Sequence, residues 1–404
     1  MYHAYQAHSD WMWPVRTLAR SAVPMLLDPT LGLGGHAPQR RLAAACEVLR
    51  LAEITHTRPD WGLREVSVGG APVPVVEQVV QRTPFATLLR FAKPGVAAQP
   101  RVLVAAPMSG HFATLLRDTV RTLLPEHDVY VTDWHNARDV PLSDGRFGLA
   151  EYTQHLIDFL AALGPGAHLM AICQPCVAAL AATALMAEDE HPAAPASLTL
   201  MAGPIDCRIG PTAVNQLATS KPIEWFERHL ISRVPWRFRG AGRRVYPGFV
   251  QLTAFMSMNR ERHLHAFRDY YVHLVEQDHE KAQVTRDFYE EYMAVADLPA
   301  EFYLETVQQV FQEYRLPRGE LVLAGRRVDP AAIRRTALVT IEGERDDICS
   351  TGQTLAAQDL CTSLRPYLRT HYVQPGVGHY GVFSGRRWQN QIYPLIRNVI
   401  QLSQ

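Results

Sequence analysis

The stretch Ala167–Cys176, AHLMAICQPC, decides the fold together with the alanine-rich run Val177–Ala182 that follows it. The first part of this stretch is typical of a buried strand, and the alanine-rich run is typical of a helix. Almost no chain remains for the turn between them, so the side chain of Cys173 is exposed where the strand breaks into the helix. The backbone N–H groups and the dipole at the helix N-terminus favour a thiolate at that position.

The turn is similar to a nucleophile elbow, in which a G-x-S-x-G box presents a nucleophile above a parallel sheet. Here the box is Ala171-Ile172-Cys173-Gln174-Pro175, so alanine and proline replace the two glycines and cysteine replaces the serine. The box needs support from the rest of the chain, because an isolated free cysteine is more often a buried structural thiol.

The composition restricts the classes of protein to which the chain can belong. Its 404 residues allow one large domain or two smaller ones. The 40 basic and 40 acidic residues balance, so no nucleic acid or anionic membrane is expected as a partner. No apolar run reaches the roughly 18 residues of a membrane span, and the N-terminus has no secretory signal pattern. The six scattered cysteines indicate reduced thiols and a cytoplasmic protein.

Strands and helices alternate along much of the chain, which indicates a parallel, doubly wound α/β sheet. The alternation runs from a strand at 101–107 to a strand at 197–203, and it resumes at 336–343 and 370–373. Before it, residues 64–68 and 73–80 predict a β-hairpin across the turn at Gly69-Gly70.

The interruption of this alternation divides the chain into three parts. We expect a helical N-terminal extension over residues 1–62, a core over 63–203 and 331–404, and a helical cap inserted at 204–330. The insertion is rich in aromatic residues and methionine, and we expect it over the carboxyl edge of the sheet, where ligands bind in open α/β folds.

Two further loops fit a catalytic elbow. After the strand at 337–341 the chain reads GERDDI (343–348), in which Asp346 can orient a histidine and Asp347 competes for that role. After the last strand, His379 lies among glycines in GVGHYG (376–381). The order nucleophile, acid, histidine is the one that this kind of elbow uses. An imidazole can take the thiol proton near neutral pH, and a buried carboxylate fixes its tautomer.

The negative oxygen formed during attack on a carbonyl needs backbone donors. Gln174, the residue after the nucleophile, supplies one N–H, and Met108 or Ser109 after the 101–107 strand should supply the other. These three residues are the predicted oxyanion hole.

Two other kinds of chemistry remain as alternatives at this stage. Cys173-Gln174-Pro175-Cys176 is also a C-x-x-C at a strand-to-helix turn, which is the pattern of thioredoxin-like redox sites. A further hypothesis is that Cys176 forms a disulfide with Cys173 on oxidation. A metal site is not expected, because His263 and His265 lack cysteine or carboxylate neighbours at ligand spacing.

At this point the sequence resembles the intracellular poly(3-hydroxybutyrate) depolymerases, which are α/β-hydrolases with a cysteine nucleophile. The motifs that carry the resemblance are the ICQP box (172–175), EGERDDI (342–348) with GQT (352–354), and GHYGVFSGRRW (378–388). Met1-Tyr2 and Asp206 also resemble residues of that family.

The resemblance implies an α/β-hydrolase fold with Cys173 as nucleophile, Asp346 as acid and His379 as base. It implies hydrolysis of a polyester, or of hydroxybutyrate oligomers, at storage granules, and no cofactor. Cys176 departs from the family pattern, in which alanine is expected at that position.

The residues alone support acyl transfer through a thioester. A polyhydroxyalkanoate synthase-like acyltransferase and a general thiol esterase therefore remain open, although a synthase box has glycine where this chain has Ala171 and Pro175. A catalytically inactive granule-associated protein is the alternative outside enzymes. The sequence leaves the preferred chain length, the product size and the oligomeric state open.

Overall fold

Two helices at the N-terminus pack against each other. The computed structural model of the protein describes residues 1–28, 30 and 36–404. Its first helices are α1 (Tyr2–Leu27) and α2 (Ala37–Leu51). The extension expected over residues 1–62 thus includes residues 29 and 31–35, which lie outside the described residues.

The two sides of α1 differ in their surroundings. On one side the buried Tyr2 hydroxyl donates a hydrogen bond of 2.6 Å to Asp297 Oδ2, which fastens the start of the helix. On the other side Trp11, Leu18 and Met25, spaced by seven residues, are 74%, 71% and 61% exposed. Residues seven apart lie on nearly the same face of a helix, so α1 presents an apolar stripe to solvent.

The chain then forms a short hairpin of β1 (Glu65–Val68) and β2 (Ala71–Pro74), which pair antiparallel across Gly69-Gly70. The prediction of one long second strand at 73–80 was wrong. The ladder of the hairpin ends with the pair Glu65–Pro74, beside which the Val75 N–H donates to Arg64 O at 2.9 Å. The following residues form β3 (Val76–Arg82), which belongs to the main sheet.

Strands and helices then alternate as the first part of an α/β core. After β3 come β4 (Ala86–Ala92), β5 (Arg101–Ala105), α3 (Arg117–Leu123), β6 (Asp128–Trp134), α4 (Leu149–Leu163), β7 (His168–Ile172), α5 (Cys176–Glu188) and β8 (Ser197–Met201). The sequence did not predict β4. This strand is buried on both faces, so it lacks the alternation of polar and apolar residues that marks a half-buried strand.

After β8 the chain leaves the sheet for a mainly helical insertion. Its helices are α6 (Ala213–Thr219), α7 (Ile223–Leu230), α8 (Gly248–Met258), α9 (Arg260–Glu276), α10 (His279–Tyr292) and α11 (Ala300–Glu305), and a π-helix follows over Thr306–Gln312. The insertion also contains short strands that the sequence did not predict: β9 (Ser232–Arg233), β10 (Arg244–Tyr246), β11 (Leu298–Pro299), β12 (Val322–Leu323) and β13 (Arg326–Arg327). The domain bounds at 62, 203 and 330 stay predictions.

The chain returns to the sheet with β14 (Ala337–Gly343), α12 (Ala356–Leu360) and β15 (Arg369–Gln374). It ends in α13 (Gly385–Arg387), a π-helix over Trp388–Ile392 and α14 (Tyr393–Leu402).

The main sheet has eight strands in the order β15-β14-β8-β7-β5-β6-β4-β3. β4 runs antiparallel to both of its neighbours, and the remaining neighbouring strands are parallel. Helices cover both faces of the central strands, which are almost fully buried. This arrangement is the α/β-hydrolase fold and confirms the predicted fold class. The loops after β5, β7, β14 and β15 all leave the sheet at its carboxyl edge.

The edge strand β3 contains a β-bulge. Val79 is opposite Leu89 and Gln81 is opposite Leu88, so Val80 is an extra residue without a partner on β4. Val79 and Val80 are both exposed.

Candidate active site

The turn after β7 holds Cys173 in a strained backbone conformation. Its φ is 69°, in the left-handed region that residues other than glycine rarely adopt. The Cys173 N–H donates to Met201 O on β8 at 2.7 Å, and the Cys176 N–H returns to Cys173 O at 3.2 Å. Such strain costs about 1–3 kcal/mol and persists only where the surroundings enforce it. Here the hydrogen bonds of the Cys173 N–H and C=O groups enforce it.

The elbow packs closely against the end of β8. A Cβ atom placed on Gly203 would overlap the side chain of Cys176 and approach Cys173 O to 3.2 Å. Cys176 is fully buried, and its thiol donates toward Ala171 O at 3.4 Å and Met201 O at 3.6 Å. Glycine at 203 therefore leaves the space that the first turn of α5 occupies beneath Cys173.

The structure brings His379 and Asp346 into direct contact. His379 Nδ1 lies 2.8 Å from Asp346 Oδ2, and both residues are buried. Because a carboxylate can only accept, we assign the proton of this contact to Nδ1. The other oxygen, Asp346 Oδ1, accepts from the N–H groups of Ile348 and Cys349, each at 2.9 Å. The neighbouring Asp347 is exposed at the mouth of a cavity and makes no such contact among the described residues.

The electrostatics of His379 connect it with Cys173. Burial alone would lower the pKa of His379, but the charges and hydrogen bonds of Cys173 and Asp346 outweigh burial and raise that pKa well above its usual value. The arrangement therefore favours the charged imidazolium form of His379 next to the Cys173 side chain. Such a pair can attack a carbonyl and then protonate a leaving group.

A buried carboxylate supports the loop that carries Asp346. Glu342 lies near the end of β14, and its carboxylate accepts from the N–H groups of Gly352, Thr354 and Leu355 at 2.8 to 3.0 Å. These hydrogen bonds tie the far end of the loop back to the strand from which it starts. Glu342 opens the EGERDDI motif, but its position in the sequence alone indicated no role for it.

The three predicted oxyanion residues lie on two facing turns. Met108 and Ser109 follow β5, and Gln174 follows Cys173 on the neighbouring strand β7. The Met108 N–H donates to the side-chain oxygen of Gln174 at 3.2 Å, so the two turns are joined directly. Ser109 is partly exposed beside them.

A cavity of about 500 Å³ lies over His379. Helices α8, α9 and α10 supply most of its wall, and the residues flanking His379 close one end. Its aromatic lining consists of Phe255, Phe288, Tyr289, Tyr292 and Tyr380. The sequence placed aromatic residues in the insertion but named none as a pocket residue. The spacing of 288, 289 and 292 on one helix was the available signal, because such residues share a face.

Two histidines near the cavity were not assigned roles from the sequence. His263 lines the cavity, and its Nδ1 is 2.8 Å from the hydroxyl of Tyr289. His111 is buried after the Met108 turn, where its Nε2 donates to Tyr292 O at 3.1 Å. Burial lowers the pKa of His111 to about 4, so the ring is neutral at physiological pH. His111 thus connects the turn after β5 to the cap, whereas His263 joins the cap helices α9 and α10.

A larger cavity of about 920 Å³ lies elsewhere, and Cys173, His379 and Asp346 are absent from its lining. It is bounded by β3, β4 and β6 and contains Arg58, Arg82 and the buried Asp133. Its lining mixes guanidinium and carboxylate groups, whereas the aromatic cavity over His379 is mainly apolar.

Cys176 is a poor candidate for rapid oxidation chemistry in this state. Burial raises the pKa of its thiol far above the usual value. The thiolate is the reactive form in disulfide exchange, so a disulfide between Cys176 and Cys173 requires the elbow to open first. The proposed redox pairing stays a hypothesis.

The fold and the turns at its carboxyl edge define an α/β-hydrolase. Residues 202–404 match the family described as the PHB de-polymerase C-terminus, and the chain belongs to that family. PHB is poly(3-hydroxybutyrate), so the class of the protein is that of the ester hydrolases. No helix of the described residues is long and apolar enough to cross a membrane.

Several solved structures share the fold at low sequence identity. The α/β-hydrolase GrgF from Penicillium sp. sh18 is 16% identical with a TM-score of 0.46, covering 82% of this chain and 98% of that one. The 2-hydroxy-6-oxo-6-phenylhexa-2,4-dienoate hydrolase of Rhodococcus sp. strain RHA1 is 12% identical with a TM-score of 0.45, covering 81% and 99%. The monoacylglycerol lipase of Paleococcus ferrophilus is 10% identical with a TM-score of 0.45, covering 76% and 97%. No curated protein sequence matches the chain.

Proposed function

We propose that the protein hydrolyses a polyester of the poly(3-hydroxybutyrate) type to oligomers or monomer. In this proposal Cys173 is the nucleophile, His379 is the base and Asp346 orients the base. The observation that carries the proposal is the buried 2.8 Å contact between His379 Nδ1 and Asp346 Oδ2, next to the strained Cys173. Membership of the depolymerase family supports the choice of substrate.

In the proposed acylation step Cys173 reacts as a thiolate and His379 as an imidazolium. The Cys173 sulfur attacks the carbonyl carbon of an ester, and the bond from that carbon to the alcohol oxygen breaks. The His379 imidazolium gives its proton to the leaving alcohol oxygen. The products of the step are a free hydroxyl end and an acyl thioester on Cys173.

Deacylation uses the same histidine in the opposite direction. His379, now neutral, takes a proton from water, and the water oxygen attacks the thioester carbonyl. The carboxylic acid leaves and the Cys173–His379 pair is restored. In both steps the N–H groups of Met108 and Gln174, with Ser109 as the alternative to Met108, would stabilise the negative oxygen. Loss of one such donor typically lowers the rate by about 10²–10³.

The cavity over His379 suits an uncharged ester chain. The cap contributes four aromatic side chains to its wall, and Arg262 and Asp347 are its acidic or basic lining residues apart from histidine. Large aromatic side chains favour apolar substrate segments.

We also propose that the protein works at the surface of storage granules in the cytoplasm. The support is the apolar stripe on α1, since exposed patches of large apolar side chains on a soluble fold mark interaction sites. α1 packs on α2, and α2 contacts the cap helix α9. The apolar stripe therefore lies on a helix that is connected to the cap through α2. An uncharged polyester surface matches a stripe formed by Trp11, Leu18 and Met25.

One set of incubations separates the proposed hydrolase from its alternatives. Purified protein is mixed with amorphous poly(3-hydroxybutyrate), with 3-hydroxybutyryl-CoA and with a simple butyrate ester. Release of hydroxy acid from the polymer, without polymer formed from the CoA ester, supports the depolymerase. Polymer formation from the CoA ester favours a synthase, and turnover of the simple ester alone favours a general thiol esterase.

The nucleophile is tested by mass spectrometry of the quenched reaction. We expect a substrate-derived acyl group on the peptide that contains Cys173, and loss of both adduct and hydrolysis in Cys173→Ala. A wild-type protein that hydrolyses none of the three substrates would favour the inactive granule protein. Undiminished hydrolysis in Cys173→Ala would remove Cys173 as the nucleophile.

A further inference from the structure

The side chain of Gln174 occupies a position that the proposed reaction needs. Its Oε1 atom accepts the Met108 N–H at 3.2 Å. That N–H is one of the two donors proposed for the oxyanion, so a carbonyl oxygen of the protein itself already lies on it. Gln174 is partly exposed, and among the described residues its side chain makes this one hydrogen bond.

The elbow offers few donors that could replace Met108. The residue after Gln174 is Pro175, which has no N–H, and the next N–H, that of Cys176, is used by Cys173 O. Near the nucleophile, the elbow therefore contributes the Gln174 N–H alone. The second donor must come from the facing turn after β5, where the Met108 N–H is engaged by Gln174 and the Ser109 N–H is the alternative.

We propose that the Gln174 side chain is an internal competitor for the oxyanion hole, which the reacting ester must displace from the Met108 N–H. This inference rests on the proposed function, because it concerns the same Cys173-dependent ester hydrolysis. Gln174 would then affect the reaction in two ways. Its backbone N–H stabilises the oxyanion, and its side chain competes with the ester carbonyl for the Met108 N–H.

The competition distinguishes the transition state from the bound substrate. The carbonyl oxygen of an amide is a better acceptor than that of an ester, so an unreacted ester gains little by displacing Gln174 Oε1. The oxyanion carries a full negative charge, and charge-assisted hydrogen bonds are roughly twice as strong as neutral ones. The oxyanion can therefore take the Met108 N–H from the amide.

Gln174→Met tests the idea, because methionine has nearly the same length and no strong acceptor, and the backbone N–H remains. With a soluble butyrate ester we expect kcat/KM to rise about 2- to 10-fold, the factor that corresponds to one neutral hydrogen bond. We expect KM to fall by a similar factor, because the ester carbonyl can now use the free donor. If Gln174 instead only holds the Met108 turn in place, kcat/KM falls or stays unchanged, and the proposal is overturned.

Gln174→Glu provides a second variant with the opposite expectation. A carboxylate is a stronger acceptor than an amide, so kcat/KM relative to wild type should fall at least tenfold at pH 7 and recover as the pH is lowered toward 4 and the carboxyl group becomes neutral. A ratio to wild type that does not depend on pH, or a value at pH 7 as high as that of wild type, contradicts competition. Thermal unfolding midpoints of both variants show whether the fold is intact.

An equilibrium measurement separates this inference from the proposed function. Cys173→Ala and Cys173→Ala/Gln174→Met are titrated with the intact butyrate ester, which neither can hydrolyse if Cys173 is the nucleophile. Tighter binding of the ester by the double variant is expected, and equal or weaker binding refutes the competition. If Cys173→Ala still hydrolyses the ester, the proposed function fails instead, and that outcome is recognisable before Gln174 is tested.

Discussion

Replacement of Asp346 by asparagine probes the contact on which the proposed triad depends. In the wild type, His379 Nδ1 donates to Asp346 Oδ2 across 2.8 Å. The amide of asparagine can keep its oxygen toward the Ile348 and Cys349 N–H groups, which now bind Asp346 Oδ1 at 2.9 Å. Its NH₂ group then faces His379, so the ring must turn Nδ1 into an acceptor. The proton moves to Nε2, and the nitrogen toward Cys173 can no longer accept one.

The size of the effect follows from the chemistry of the nucleophile. A reversed tautomer in a triad with a serine nucleophile lowers the rate by about 10⁴. A thiol ionises far more easily than a hydroxyl and depends less on its base. We therefore expect kcat/KM for Asp346→Asn to fall by about 10²–10³, which is about 2.7–4.1 kcal/mol of transition-state stabilisation. The thermal midpoint should change little, because both backbone hydrogen bonds to residue 346 survive.

The pH dependence of kcat/KM provides an independent test. Cys173 and Asp346 raise the pKa of His379, so the imidazolium persists to a higher pH than in a free histidine. Loss of the carboxylate charge lowers that pKa, and the basic limb of the kcat/KM profile should move to lower pH.

Asp347→Asn is the matched control, since it changes the adjacent, exposed acid and should leave kcat/KM within about twofold of wild type. A large loss in Asp347→Asn with an active Asp346→Asn would reverse the assignment of the acid.

Three further predictions concern packing, anchoring and surface binding. Gly203→Ala should lower the free energy of unfolding by about 1–3 kcal/mol, because the added methyl overlaps Cys176; a wild-type melting temperature would contradict this. Burial raises the pKa of Asp297 to about 6, so the free energy of unfolding should fall as the pH rises from about 4 to about 6. In Asp297→Asn the midpoint of thermal unfolding should depend less on pH over this range. Trp11→Glu/Leu18→Glu should reduce sedimentation with polyester granules at an unchanged rate on a soluble ester, whereas Leu402→Glu, which alters an exposed leucine at the far end of the chain, should bind like wild type.

The sequence was most informative where local periodicity and burial agree. In α4 (Leu149–Leu163) the apolar residues recur on one face, and the Glu151 carboxylate accepts the N–H of Gly148 at the start of the helix, so its own sequence marks this helix. The strand and helix around Cys173 are equally local. The β3–β4 pairing was less accessible, since β4 is recognisable only once its neighbour across the sheet is known.

Contacts between distant loops explain what the sequence could not supply for the site. The residue types of Asp346 and His379 suggested a pair, but their 2.8 Å contact depends on β14 and β15 lying side by side. The cavity wall depends on how α8, α9 and α10 turn their aromatic residues toward His379, and composition alone does not determine this. The bond from Met108 to the Gln174 side chain joins turns 66 residues apart and has no signature in either segment.

The extra residue in β3 has a consequence for how copies of the protein behave at high concentration. An edge strand with free backbone groups and exposed valines can pair with the edge of another molecule and start aggregation. Val80 breaks the regular spacing of N–H and C=O groups along that edge, so a second strand cannot align with its full length. Deletion of Val80 would restore a regular row of backbone N–H and C=O groups along β3. We would expect such a variant to self-associate. The bulge is therefore expected to weaken edge-to-edge pairing between copies of the protein.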